Sequence, residues 1–140
     1  ELASRGRCGL IAMRSRMEGG RFLMPAYGGS REATADRALG ELAEVRIRLR
    51  DAGIAEPRVA LDPGFGFGTT FTEDAALWSA LPRIQDRLCI GVSRKRFTAW
   101  QAGQRESRPE DRDALTAALH REAAGTGARI FRSHAATLSV

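Results

Sequence analysis

The chain has 140 residues, 43% hydrophobic and 28% charged, and 22 Lys and Arg against 17 Asp and Glu give a formal net charge of +5. This is ordinary globular composition for one domain or part of one, which excludes collagen, low-complexity tails and most disordered classes. No apolar run approaches the ~18 residues of a membrane span, and no secretory signal is visible.

The elements follow in chain order. Cys8-Gly9-Leu10-Ile11-Ala12-Met13 is a short apolar run that reads as a buried strand. Arg14 to Gly29, rich in Gly and Arg, reads as loop. Ser30 is placed to cap a helix running to about Ala52, with a stripe of Ala35, Leu39, Leu42, Val45, Leu49 and Ala52 and a stop at Gly53. Arg58 to Leu61 reads as the second strand and Asp62 to Gly68 as a glycine-rich loop. Thr72, followed by Glu73 and Asp74, is expected to cap a helix carrying Leu77, Trp78, Leu81 and Ile84, which Pro82 should kink or end. Leu88 to Val92 is the third strand, and Thr98 to Arg108 reads as loop. Pro109 suits the first turn of a helix with Leu115, Ala118 and Leu119 on one face, ended by Gly125 and Gly127. Ala128 to Phe131 is the fourth strand.

Four apolar strands separated by three helices imply a parallel sheet. The unusual polar residues then converge. Asp62 follows the second strand, Ser93, Arg94 and Lys95 the third, and Arg132 and His134 the fourth. All lie at C-terminal strand ends, the edge where α/β folds build their sites.

The basic balance suits an anionic partner, from polyanion to small phosphate or carboxylate. Tight basic groups are confined to Arg14/Arg16, Arg94-Lys95-Arg96 and Arg105/Arg108, with few aromatics between them, which favours a solvated surface over nucleic-acid binding. Cys8 and Cys89 lie in apolar stretches and read as two buried free thiols in a reducing compartment. With only His120 and His134 besides, no zinc-type spacing exists.

Each candidate has a plain structural alternative. The Asp62 to Thr70 segment could hold an anion on its amides, but it matches neither a P-loop nor a dinucleotide fingerprint, and taken alone it reads as a tight strand-to-helix turn. Asp62 could accept two N–H bonds from the amidine or guanidine edge of a ligand, or serve as a cap. Lys95 could polarise a carbonyl or stabilise a leaving anion, or sit in a solvated basic turn, with Gly91 letting a flat ligand approach. Arg132 and His134, two apart on one strand, could grip the same phosphate. Met13, Trp78 and Trp100 read as packing.

Together, Leu61-Asp62-Pro63-Gly64-Phe65-Gly66-Phe67-Gly68, Gly91-Val92-Ser93-Arg94-Lys95 and Arg132-Ser133-His134 resemble the dihydropteroate synthase family of pterin-binding TIM barrels. Ile11 to Ser15 resembles the family's fifth-strand segment less closely, and the likeness runs from about Gly9 onward. The resemblance implies parallel βα units forming the C-terminal half, about strands 5–8, of a (β/α)8 barrel, with residues 1–140 as one partial domain. It implies condensation of a (7,8-dihydropterin-6-yl)methyl diphosphate with p-aminobenzoate, releasing pyrophosphate, with Mg²⁺. By the same resemblance Asp62, Lys95 and Arg132 would bind the pterin, Arg132 and His134 the pyrophosphate, and Phe67, Ser93, Lys95 and Arg96 the p-aminobenzoate; Lys95, Asp62, Arg132 and His134 would carry the catalysis. A cytoplasmic homodimer and sulfonamide target are implied, without nucleic acid or membrane.

Three positions depart from the family: Thr69 stands where Lys is usual, Arg14 where His is usual, and Arg96 where a small hydroxyl residue is usual. A barrel takes about 250 residues, so half is expected to be absent, including the Mg²⁺ ligand; no metal ligand is expected in this chain. The chain begins at Glu1 rather than Met. It is expected to be a fragment of a longer enzyme or to need a partner, and to be inactive alone. The alternative is a non-catalytic or methyltransferase-type pterin-binding module.

Overall fold

The computed structural model describes residues 6, 8–15, 17–22, 30–104 and 107–135. Arg16, Arg105 and the 23–29 part of the expected loop lie outside the described residues. In chain order the elements are β1 (Leu10–Met13), β2 (Met17–Glu18), β3 (Arg21–Phe22), α1 (Arg31–Asp51), β4 (Val59–Asp62), α2 (Phe71–Ala80), β5 (Leu88–Ile90), α3 (Arg96–Gln101), α4 (Asp113–Gly125) and β6 (Ala128–Phe131).

Strands β1, β4, β5 and β6 form one parallel sheet in that order. Each crossover adds its strand beside the one before, without the reversal that marks a doubly wound sheet. This is the winding of a barrel wall. All four strand ends therefore point the same way, and the loops that follow β4, β5 and β6 meet at one edge.

The core lies between sheet and helices, built on Leu42, Leu61, Leu77, Leu81, Leu88 and Ile90. Phe65 anchors the glycine loop inside it: the side chain is 0% exposed and stacks on Phe97 at 5.6 Å. Burying such a ring contributes roughly 1.5–3 kcal/mol. Trp78 and Trp100 are packing residues, within 6.2 and 6.3 Å of the Phe97 ring.

Several local expectations change. The α2 cap is Thr70, not Thr72: its hydroxyl accepts from Glu73 N at 3.3 Å while the Glu73 carboxylate accepts from Thr70 N at 2.5 Å. The Thr-x-x-Glu spacing of a capping box selects it among three nearby threonines. Pro82 ends α2 as expected, in a 3₁₀ turn over Leu81–Arg83. The expected loop after Arg14 contains the β2–β3 hairpin, turning on Gly19 and Gly20, both with positive φ. Helix α3 occupies part of the expected Thr98–Arg108 loop; six residues are too few to show a period, though Phe97, Thr98 and Ala99 are buried. In α4 the buried face is Thr116, Leu119, His120 and Ala123, and Ala118 is exposed. A 3₁₀ turn at Glu110–Arg112 precedes the helix and sets its rotation. Cys8 is exposed, because it precedes the edge strand β1, while Cys89 is buried in β5.

Candidate functional site

Asp62 is the last residue of β4 and is 1% exposed. Its Oδ1 accepts from Gly64 N at 2.8 Å. Arg132 Nη2 lies 2.9 Å from Oδ2 in an ion pair that lacks hydrogen-bond alignment, so Oδ2 is charge-paired yet has room to accept a further N–H. Such an oxygen can accept from a planar ligand edge.

Arg132 follows β6, and its amide continues the ladder to Ile90 O at 2.9 Å. Its guanidinium lies flat on Gly91, where a Cβ would come within 2.6 Å of Nη2. The space beside Gly91, where the sequence allowed a flat ligand to approach, holds the Arg132 guanidinium. That seat is what places the guanidinium against Asp62.

Ser93, Ser133 and His134 join the β5 and β6 loops. Ser93 is buried, with its hydroxyl 3.3 Å from Ser133 Oγ, 3.2 Å from His134 Nδ1 and 3.1 Å from His134 N. These contacts hold the His134 ring at the edge, where it is exposed. Gly91, Ser93, Lys95, Arg132, Ser133 and His134 line one cavity of about 170 Å³.

Arg94 does not enter the site. It adopts φ 56°, and its guanidinium turns outward onto α4, with Nε and Nη2 each 2.9 Å from the Asp113 carboxylate. The hydrogen-bonded pair raises the Arg94 pKa and lowers that of Asp113. The left-handed turn swings Lys95 back over the glycine loop. There Lys95 Nζ donates to Phe65 O at 2.5 Å and sits 4.4 Å from the centre of the Phe67 ring. Burial pulls the amine pKa below its usual value, opposed by Asp62 and Asp74 and aided by Arg132. Lys95 is the only lysine in the chain; the other basic residues are all Arg.

Phe67, Lys95 and Arg96 line a second, wider cleft of about 510 Å³ with Gly66, Thr69, Thr70, Phe71 and Phe97. Ser93 lies in the smaller cavity, not here, because the Arg94 turn puts it on the other side of Lys95. Lys95 is thus the wall between two compartments. A cavity of about 590 Å³ at the opposite end of the sheet, under Ile47, Val59 and Arg87, contains none of these residues.

Two positions that depart from the family have clear local work. Arg14 is 4% exposed, bonding Pro63 O at 2.9 Å and Glu41 Oε2 at 2.7 Å, so it ties β1, the glycine loop and α1 together. Thr69 donates to Asp74 Oδ1 at 2.7 Å and accepts from Gly66 N at 3.1 Å. Asp74 itself, 0% exposed, was not singled out from the sequence. It looked like an ordinary acid in a helical first turn, and only its burial beneath the loop distinguishes it.

A family model described as pterin binding enzyme matches residues 1–134. The dihydropteroate synthase of Neisseria meningitidis serogroup C is 38% identical over 87 residues, covering 59% of this chain and 30% of that protein. That of Streptococcus pyogenes serotype M1 is 34% identical over 99 residues, covering 69% and 36%. Among solved structures, Burkholderia cenocepacia dihydropteroate synthase complexed with 7,8-dihydropteroate matches with TM-score 0.82 at 31% identity, over 96% of this chain and 50% of that chain. Xanthomonas albilineans dihydropteroate synthase with 4-aminobenzoic acid matches with TM-score 0.75 at 30% identity, over 93% and 45%. The chain spans about a third of the length of the curated relatives it matches and about half of the solved chains.

Proposed function

This chain belongs to the pterin-binding enzyme family, and from that premise we propose that it supplies pterin, pyrophosphate and arylamine contacts of a dihydropteroate synthase. The observation that carries the reading is Lys95 as the shared wall of two compartments, one lined by Arg132 and His134 and the other by Phe67 and Arg96. A reaction that joins two small molecules needs two adjoining seats and a charged group between them.

In this reading Asp62 Oδ2 accepts from the pterin ring N–H edge, with Lys95 beside the ring carbonyl. The pyrophosphate lies toward Arg132 and His134. The arylamine occupies the wider cleft against Phe67, its carboxylate toward Arg96. The amine nitrogen forms a bond to the pterin methylene carbon. The methylene C–O bond breaks, its electron pair stays on pyrophosphate, and the surplus amine proton passes to water. Negative charge grows on the leaving group, where the Arg132 guanidinium and an N–H of His134 can stabilise it. Holding the neutral amine in line supplies the rest.

The described residues contain no group of three or more His, Cys, Asp or Glu able to hold a metal ion. Mg²⁺, expected with a pyrophosphate substrate, would neutralise charge on the leaving group when bound. The same reading extends to a cytoplasmic homodimer open to competition by sulfonamides. No helix among the described residues is long and apolar enough to cross a membrane, and Cys8 and Cys89 are free thiols. Among the described residues, strands β1 and β6 each pair on one side, leaving sheet edges for a further surface to cover; sedimentation reads the oligomer.

The test is pyrophosphate release from the dihydropterin pyrophosphate, p-aminobenzoate and Mg²⁺, with pterin affinity measured in parallel on wild type and Lys95→Met. Release that needs both substrates, with at least tenfold weaker pterin binding in the variant, supports the synthase. Pterin binding without release favours the non-catalytic or methyltransferase-type module. Unchanged pterin affinity in Lys95→Met overturns the assignment of Lys95.

A further inference from the structure

One peptide unit links the site lysine to a buried acid. The carbonyl of Phe65 accepts from Lys95 Nζ at 2.5 Å. The N–H of the same unit, on Gly66, donates to Asp74 Oδ2 at 2.9 Å and to Thr69 Oγ1 at 3.1 Å. Cation, peptide and anion therefore form a continuous hydrogen-bonded chain. The peptide dipole has its oxygen toward the ammonium and its hydrogen toward the carboxylate, the alignment in which each bond polarises the next.

We propose that Asp74 is a positioning residue for Lys95: acting through the Phe65–Gly66 peptide, its carboxylate holds the ammonium between the two compartments and helps keep it charged. The role rests on the reading of Lys95 as a substrate contact, although the coupling itself is a property of this chain alone.

Three observations separate this role from an ordinary helix cap. The α2 N-terminus is already capped by Thr70 and Glu73, so Asp74 is surplus to that purpose. Its two oxygens reach back to Thr69 and Gly66 in the loop. And both loop contacts of Lys95, the Phe65 carbonyl and the Phe67 ring, flank the residue whose N–H Asp74 holds. Gly66 has φ +74°, a left-handed conformation that favours glycine, and it is this backbone that presents the Gly66 N–H to Asp74.

The charged groups acting on Asp74 are Arg14 from the end of β1 and Lys95 from the β5 loop. Glu41 on α1 pairs with Arg14, and neighbouring Glu73 bonds the Thr70 amide. Burial is the largest influence, raising the Asp74 pKa to about 6 against the Thr69 and Gly66 hydrogen bonds. Asn in this position could make the same two contacts without charge. The ionised form at neutral pH is what Asn would lack, and Lys95 is the group that senses it.

Because Lys95 is the only lysine, a sample labelled with ¹³C-lysine gives a single Cε signal whose pH titration reports this amine directly. The experiment compares wild type with Asp74→Asn, which can still accept from Gly66 N and donate to Thr69. Hydrogen exchange at the Gly66 amide reports the loop. The expected result is unchanged Gly66 protection with a Lys95 midpoint lower by on the order of 0.5–1 pH unit. An unchanged midpoint with the loop intact would overturn the proposal and leave Asp74 a loop brace. A lowered midpoint in a chain that releases no pyrophosphate would sustain the coupling and count only against the synthase reading. Thr69→Val supplies a second variant: it removes the hydroxyl but leaves the Gly66 to Asp74 bond, so the Lys95 midpoint should move less than in Asp74→Asn, and an equal or larger shift would count against the proposal.

Discussion

Replacing Gly64 with Ala tests whether the glycine loop is a steric necessity of the site. Gly64 has φ +76°, and a Cβ there would lie 2.0 Å from the Arg14 carbonyl oxygen, against about 3.4 Å for ordinary contact. The obstacle is backbone, so β1 or the loop must move by more than 1 Å. That movement strains the Arg14 N to Asp62 O bond of 2.9 Å and the Arg14 Nε to Pro63 O bond of 2.9 Å. Left-handed backbone costs a non-glycine residue about 1–2 kcal/mol, and each lost bond about 1 kcal/mol. The expected loss is therefore about 3–4 kcal/mol, a large share of the 5–15 kcal/mol typical of a domain. Gly53 provides the control: it has the same φ of +76° with nothing within 4 Å of its Cβ position. Gly53→Ala should cost only the backbone part, about 1–2 kcal/mol. Urea unfolding followed by Trp78 and Trp100 fluorescence measures both. If Gly64→Ala costs no more than Gly53→Ala, the close approach to Arg14 is not what fixes the loop, and the reasoning fails.

His120 is 0% exposed with neither ring nitrogen hydrogen-bonded among the described residues, and burial lowers its pKa. It stays neutral when folded and protonates when unfolded, so its contribution to stability falls as pH drops below the unfolded value of about 6.5. His120→Leu should raise stability by about 1–2 kcal/mol at pH 7.5 and more at pH 5.5; a lower melting temperature at both would refute this. Asp74 has the opposite sign. Its carboxyl binds a proton more tightly folded than unfolded, with the pKa raised from 3.8 to about 6, so this group's contribution falls as pH rises through that interval. The ionised form costs on the order of 3 kcal/mol above pH 6. Asp74→Asn should accordingly be more stable than wild type at pH 8, with the gain shrinking toward pH 4; a gain independent of pH would contradict the burial of this charge. His134→Ala should weaken pyrophosphate binding more than binding of the pterin alone, measured by calorimetry, and equal losses would reduce His134 to a partner of Ser93.

The alternation of apolar strands and striped helices was legible in the chain, because period and caps are local. Ser30 and Gly53 bound α1 as read, and Asp62, Lys95, Arg132 and His134 stand at the strand ends where a parallel sheet must put them. The three motifs in order also carry the resemblance to the family whose model matches residues 1–134. The partner of each polar side chain was not legible. Arg94 and Lys95 are adjacent in an unbroken basic run, yet one turns out to Asp113 and the other inward to Phe65. Arg132 fills the space that Gly91 leaves open, 41 positions earlier in the chain, and Asp74 proves to be the buried end of a link to Lys95. A side chain's period and its neighbours in sequence fix which element it belongs to. Its burial and its charge partner depend on which loops the sheet brings together, and that is decided only when the strands pack.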